Sequence, residues 1–445
     1  MNLAPVAPLA PHPLLVFFTV LTVLLLVARL LGNLAARIGL PSIVGELVTG
    51  ILLGPSLLGH LAPGISHWLL PNMAEQTHLL DGIGQFSVVL LVGITGTHLD
   101  TGILKRYGRS AVAVSLSGLL IPLFFGIALA LMLPASVAGH AQAGRGVFAL
   151  FLGVAMCVSA IPVIAKTLTD MGLLHRNIGQ LTLASGMVDD AIGWLLLSVV
   201  SAAATVGVSF AHISVQVAYL AVFVAFAATI GRTLVRRIMM RAAKSAESGP
   251  AIAAAIIIVV LGAITTLALG LEPIFGAFIA GILVAQAKPA QVKLAPLRSV
   301  VLAVFAPLFM ATAGLRVDLS ALARPAVALT GLAVLVVAVL GKFGGAYLGA
   351  RISGLTKLEG LALGAGMNAR GVVEVIVALT GLRLGVLNSA TYTIVVLVAV
   401  VTSLMAPPIL RRVMARIEQG EEERLRKIDH DTWNGRLEVA EAGQS

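Results

Sequence analysis

Six ionisable residues interrupt runs that are otherwise apolar: Lys166, Asp189, Asp190, Lys342, Arg370 and Glu374. At the centre of a bilayer each costs about 2.5–3.5 kcal/mol, so six unpaired would total on the order of 15–20 kcal/mol. That equals or exceeds the net stability of a whole domain, about 5–15 kcal/mol. The six must therefore be paired, hydrated or both. Arg370 and Glu374, four apart, share one helical face and read as a buried ion pair that fixes packing. Asp189 and Asp190 do not reduce to packing. Neighbours on an α-helix point about 100° apart, so one carboxylate can face a buried lysine while the other faces a water-filled cavity. The two acids repel each other and burial favours the neutral form of one, which makes a proton site able to exchange its proton for a monovalent cation. Lys342 lies in the middle of a late apolar run and is the partner of opposite sign; a buried lysine can itself release a proton when its acid is occupied. Mg²⁺ or Ca²⁺ would demand more carboxylates than this pair.

The elements that position these groups must be membrane helices. Of 445 residues 58% are apolar and 11% charged, against roughly 25% charged in an ordinary soluble domain. A soluble enzyme is excluded, and no catalytic residues are assigned. A hydrocarbon core of about 30 Å needs about 20 apolar residues per helix. Thirteen spans are expected, near 13–34, 42–60, 79–99, 108–133, 147–171, 176–205, 214–237, 250–270, 272–287, 299–316, 325–350, 358–381 and 389–410. The ninth is short, opens at Glu272 and Pro273, and could be re-entrant. The chain is thus an all-α polytopic membrane protein with one membrane domain, residues 1–410, and a short cytoplasmic tail, residues 411–445.

With the N-terminus outside, the inside loops hold sixteen Lys and Arg residues and the outside loops four: Arg145, Arg316, Arg324 and Arg383. This bias predicts a cytoplasmic C-terminus. The first basic residue is Arg29 and no small-residue cleavage site follows the first run, so that run reads as a retained helix. The net charge of +10 reports loop placement and not nucleic-acid binding. The tail has seven basic and eight acidic residues, reads as a short helix with a frayed end, and contains no GxGxxG, so no nucleotide-binding regulatory domain is expected. The single cysteine, Cys157, excludes an intrachain disulfide or thiolate metal site, and the histidines show no ligand spacing. Glu46, in the small-residue stretch Gly45 to Ser56, is assigned to packing.

Two spans look interrupted. In the fifth, Cys157 to Lys166, Pro162 removes a backbone donor and frees a carbonyl one turn earlier. In the twelfth, Gly364, Gly366 and Gly371 surround Asn368 and Arg370. Broken backbone at membrane depth is tolerated where it is buried or lines a cavity, and paired breaks at corresponding positions mark a transporter's binding site. An offset of seven spans is odd, so the halves run in opposite directions, as inverted repeats require. The sixth span, with Asp189 and Asp190, and the eleventh, with Lys342, then meet beside the breaks.

These residues carry a family likeness. Gly45-Glu46 through Gly54-Pro55-Ser56, Ser159 to Lys166, Asp189-Asp190-Ala-Ile-Gly-Trp194, Gly341-Lys342-Phe and Met367 to Glu374 together resemble the monovalent cation:proton antiporter-2 family of sodium or potassium/proton exchangers. The likeness extends from about Pro13 to Leu410. It implies a sodium/proton-antiporter-like fold with inverted repeats and two crossed discontinuous helices, a six-helix core beside a dimerisation domain, a homodimer, and elevator-like alternating access in the cell membrane. It also implies Asp190 as the main carboxylate for Na⁺ or K⁺ and H⁺, Asp189 as the residue salt-bridged to Lys342, and Ser159 as part of the ion site. Pro162, Lys166, Asn368, Arg370 and Glu374 would support the breaks. A double Asp with a lysine resembles electrogenic exchangers, whereas the Ser159 to Lys166 and Met367 to Gly371 stretches are more similar to plant exchangers, several of which handle K⁺. No cofactor is expected. A cation channel and a non-transporting membrane sensor are the competing readings; the first should carry a carbonyl filter or charge ring, and neither is evident.

Overall fold

All regular structure in the described residues is helical. The computed structural model describes residues 10–70, 74–97, 101–134, 137, 144–206 and 210–424; within these, the side chains of residues 74, 101–106, 162, 166, 169, 170, 206 and 210–213 lie outside the description. In chain order the main helices are α1 (Pro11–Arg37), α2 (Ser42–Leu53), α3 (Ala74–Thr97), α4 (Thr101–Met132), α5 (Arg145–Cys157), α6 (Ile161–Asp170) and α7 (Asn177–Val206). They continue with α8 (Phe210–Phe226), α9 (Arg232–Ala242), α10 (Gly249–Ala268), α11 (Pro273–Ala285), α12 (Ala295–Val300) and α13 (Ala306–Gly314). The last four are α14 (Pro325–Ile352), α15 (Lys357–Met367), α16 (Val372–Arg383) and α17 (Ser389–Met414). Single π-turns join α8 to α9 and α12 to α13.

Among the described residues ten helical stretches are long and apolar enough to cross a bilayer, and α15 with α16, bent by 44° at their break, make an eleventh. The expected count of thirteen is therefore ten to eleven by length and composition. The other two expected spans, the fifth and the ninth, fall on α5 with α6 and on α11. Helices α5 and α11 have 13 residues each, about 20 Å of helix against a core of about 30 Å. Hydropathy runs on through the extended segment after α5, so the sequence registers one span where the backbone makes two short helices.

The chain divides into two compact units. The first comprises Met1–Leu99, Ser198–Ala328 and Leu379–Thr393. Here α1 buries Val16, Val20, Leu24 and Ala28, one residue per turn, against Leu308 and Ala311 of α13. Leu26, Leu30 and Leu34 on its other side are exposed, an apolar surface of the kind that lipid covers. Helices α2 and α13 approach through glycine: a methyl group on Gly50 would overlap the carbonyl oxygen of Ala311. Close backbone approach of this kind drives helix association where hydrocarbon removes the hydrophobic effect. Glu46 is buried in α2, with its side chain beside Gly32.

The second unit comprises Asp100–Leu197, Leu329–Ala378 and Ile394–Ser445. It collects α4, α5, α6 and α15 with most of α7, α14 and α17 and the first half of α16, that is, spans four to six and eleven to thirteen of the sequence reading. Its α15 starts from a capping box in which Thr356 and Glu359 satisfy each other's backbone N–H groups. Beyond α17 the chain turns back onto the connection between α6 and α7. The buried Glu423 carboxylate meets Arg176 Nε at 2.9 Å and accepts from the Asn177 N–H at 2.5 Å, at the first turn of α7. The same Arg176 donates to the carbonyls of Ile417 and Glu418.

Candidate functional site

The site follows from two interrupted helices that cross. Helix α5 ends at Cys157 and the chain is extended at Val158; α15 ends at Met367 and α16 begins at Val372. Ser159 Oγ donates to the Met367 carbonyl at 2.8 Å and the Ala160 N–H donates to the Ala369 carbonyl at 3.3 Å. Gly371 permits the crossing, since a Cβ there would stand 2.6 Å from a methyl of Val163.

An interrupted helix exposes backbone groups that an intact one would satisfy, carbonyls at one side of the break and N–H groups at the other. The last carbonyls of α5 receive cations. Arg370 donates to Ala155 O at 3.1 Å and Met156 O at 2.5 Å, and Lys342 Nζ donates to Cys157 O at 2.5 Å. The N–H groups leading into α6 turn towards acids: Ser159 N–H donates to Asp189 Oδ2 at 2.8 Å and Ile161 N–H faces Asp190. Each charge sits at the helix end that its sign favours.

Asp189 and Lys342 are fully buried, 2.7 Å apart, with Ser115 Oγ a further 3.4 Å contact of the carboxylate. Arg370 and Glu374 form a second buried pair at 3.1 Å. Arg370 also reaches the Ala338 carbonyl of α14, and its own carbonyl accepts from Ser403 Oγ of α17. Both pairs are internally neutral. Among the described side chains at the break, Asp190 is the remaining charge, with no solvent exposure, no ion-pair partner and no closely made hydrogen bond to either carboxylate oxygen, although the Ile161 N–H faces it. A lone carboxylate in low dielectric takes up a proton or a cation and has every physical reason to hold one of them.

The structure brings together Ser159, Asp189, Asp190, Lys342, Asn368, Arg370 and Glu374. The side chains of Pro162 and Lys166 lie outside the described residues. Reading the sequence missed Ser115, Ser403 and the three α5 carbonyls. Nothing in the sequence distinguishes those two serines from others in apolar helices, but the carbonyl acceptors follow from the break itself. The described residues contain no group of three or more His, Cys, Asp or Glu able to hold a metal ion, so any ion here would depend on hydroxyl and carbonyl oxygens beside Asp190.

The profile of the transmembrane sodium/hydrogen exchanger family matches residues 20–416. The chain is 32% identical to the Na⁺/H⁺ antiporter NhaS4 of Synechocystis over 405 residues, covering 90% of this chain and 98% of that one. It is 30% identical to the Na⁺/H⁺-K⁺ antiporter GerN of Bacillus cereus over 395 residues, covering 89% and 95%. Among solved structures, the fold is similar to that of the sodium proton antiporter MjNhaP1 of Methanocaldococcus jannaschii, with a TM-score of 0.68 at 16% identity, covering 91% of this chain and 99% of that one.

Proposed function

Because the chain belongs to the sodium/hydrogen exchanger family, of the cation:proton antiporter-2 type, it is a transporter and not an enzyme, and we propose that it exchanges Na⁺ or K⁺ for H⁺ by secondary active, electrogenic antiport. The observation that carries this reading is Asp190, a buried carboxylate with no ion-pair partner among the described residues, beside an already neutral pair. Protonated, Asp190 leaves the site neutral. Ionised, it leaves one negative charge that a monovalent cation can balance. Proton and cation therefore exclude each other, which is the condition for coupled exchange.

Asp189 and Lys342 supply the second half of the cycle. A cation drawn in by Asp190 also competes for Asp189, and as Asp189 turns to the ion Lys342 loses its counter-charge and releases its proton. The return leg then carries protons on Lys342 and Asp190 against one cation. This imbalance makes transport sensitive to membrane potential. Ser159 lines the ion site, while Asn368, Arg370, Glu374, Pro162 and Lys166 support the breaks. The protein works as a homodimer in the cell membrane with the N-terminus outside and the C-terminus in the cytoplasm. The membrane domain is residues 1–410, residues 411–445 lie on the cytoplasmic side, and alternating access comes from movement of the second unit.

Proteoliposomes carrying a pH dye test the reading. Adding Na⁺ or K⁺ should drive proton flux, an imposed potential should change its rate, and Asp190→Asn should abolish it. Full flux in Asp190→Asn, or none in the unaltered protein, would overturn it.

A further inference from the structure

We propose that α9, with the connection from α11 to α12, forms a docking face for the headgroups of anionic phospholipids. The face lies wholly in the first unit. It rests on the membrane character of the chain and needs neither the ion nor the coupling proposed above.

The face begins where a span outruns the bilayer. One helical stretch runs from Ser214 to Ala242 through the π-turn between α8 and α9. Its first 18 residues, 214–231, carry no charge and rise about 27 Å, close to a hydrocarbon core of about 30 Å. Helix α9 therefore starts at the headgroups. It carries Arg232, Arg236, Arg237 and Arg241, and Lys244 follows it. Val235 and Met239 are its buried side, and Arg237 and Arg241, four apart, are exposed on the opposite one. Leu234 and Ile238, beside those arginines, are exposed as well. Arginine next to bare leucine and isoleucine on one helix is the pattern of an element seated between headgroups and acyl chains.

A second basic strip joins the first. The connection from α11 to α12 supplies Lys288 and Lys293, and α12 supplies Arg298. Two bonds tie the strips together: Arg232 Nε donates to Gln286 Oε1 at 2.6 Å, and Lys293 Nζ donates to the Ser245 carbonyl. The acids between residues 228 and 300 are Glu247 and Glu272. Glu272 stands at the far end of α11 from Lys288, about 20 Å of helix away. Among the described residues, Arg236, Arg237, Arg241, Lys244, Lys288 and Arg298 have no ion-pair partner. Their charge is left for a group outside the chain.

Membrane orientation requires basic residues in a loop, but it requires neither their alignment on one helix face nor a tie between two loops. A lipid phosphate accounts for both. Each guanidinium can meet phosphate oxygens through two parallel N–H bonds, and the acyl chains below cover Leu234 and Ile238. Clusters of four to eight basic residues beside a span are drawn to the negative surface of an anionic leaflet. A zwitterionic headgroup brings its own cation, which the arginines repel. A soluble anion would leave the apolar flank in water.

The test titrates the full chain in detergent with phosphatidylglycerol or phosphatidylcholine and reads bound lipid by native mass spectrometry. Phosphatidylglycerol should bind about tenfold or more tightly than phosphatidylcholine. Arg237→Gln with Arg241→Gln should weaken phosphatidylglycerol about 10–30-fold and leave phosphatidylcholine unmoved. Arg29→Gln with Arg37→Gln removes the same charge from exposed positions of α1 and should change either affinity less than about threefold. Salt at about 1 M, which screens charge within about 3 Å, should erase the preference. Equal affinity for the two lipids, or equal losses in the two double variants, would overturn the proposal. Displacement of the lipid by inorganic phosphate would do so too, by marking a soluble-anion site. Unchanged lipid binding in an Arg237→Gln, Arg241→Gln protein that elutes at half the original mass would give the face to a second copy of the chain. If that double variant does not fold, Arg237→Gln alone, expected to cost about fivefold, decides by the same comparison.

Discussion

Removing Lys342 alone should destabilise the protein far more than removing Lys342 and Asp189 together. In Lys342→Met the Asp189 carboxylate stays fully buried with only the Ser159 N–H and the Ser115 hydroxyl to hold it. Breaking a buried pair by deleting one partner costs about 3–5 kcal/mol. Asp189→Asn should cost a similar amount, because Lys342 then stays fully buried without a counter-charge, held only by neutral acceptors such as the Cys157 carbonyl. The double variant removes both charges and loses about 1–2 kcal/mol of hydrogen bonding. The coupling energy is thus about 4 kcal/mol or more. At about 2–4 °C per kcal/mol for a cooperative unit of about 150–250 residues, the single variants should melt about 6–20 °C lower and the double variant about 2–8 °C lower. A thiol-reactive fluorogenic dye reads this directly, since Cys157 is the one cysteine in the chain and is buried beside Lys342. A double variant whose melting shift equals the sum of the two single shifts would refute the reasoning.

Two further outcomes follow from packing and capping. Glu423→Gln should lower stability by about 1–3 kcal/mol through the charge-assisted bond to Arg176, whereas Glu421→Gln, at an exposed position, should change melting by less than about 0.5 kcal/mol; equal shifts in the two variants would reject the docking of this segment. Gly50→Ala, which forces α2 away from the Ala311 carbonyl, should cost about 1–3 kcal/mol and leave the Li⁺, Na⁺ and K⁺ ratios of transport unaltered; a changed ratio would tie this contact to ion recognition.

The membrane character, the breaks near Pro162 and Asn368 and the burial of Asp189 and Asp190 beside them were legible because each sets a local rule against its surroundings. A charge in an apolar run, or glycine and proline within a helix, is visible in a window of about ten residues. The acceptors of Arg370 and Lys342 were not legible, because backbone carbonyls carry no residue signature. Arg176 and Glu423 escaped for another reason. Each reads as an ordinary charge flanking the membrane, and their burial arises only when distant segments fold together. Where α5 and α11 end was not legible, because apolar composition measures solubility in lipid and does not report where a helix stops.

The second unit also imposes an order on synthesis. Asp189 enters the membrane 153 residues before Lys342, and Asn177 precedes Glu423 by 246 residues. At about 5–20 residues per second, the acids wait roughly 8–30 s for their lysine, and the first turn of α7 waits roughly 12–50 s for its cap. During that interval the acidic helix must be inserted with its carboxylates protonated or lodged against water at the insertion machinery. A chain released before Lys342 would keep those groups unmatched in lipid, and membrane proteases should clear it faster than a chain truncated after Met414.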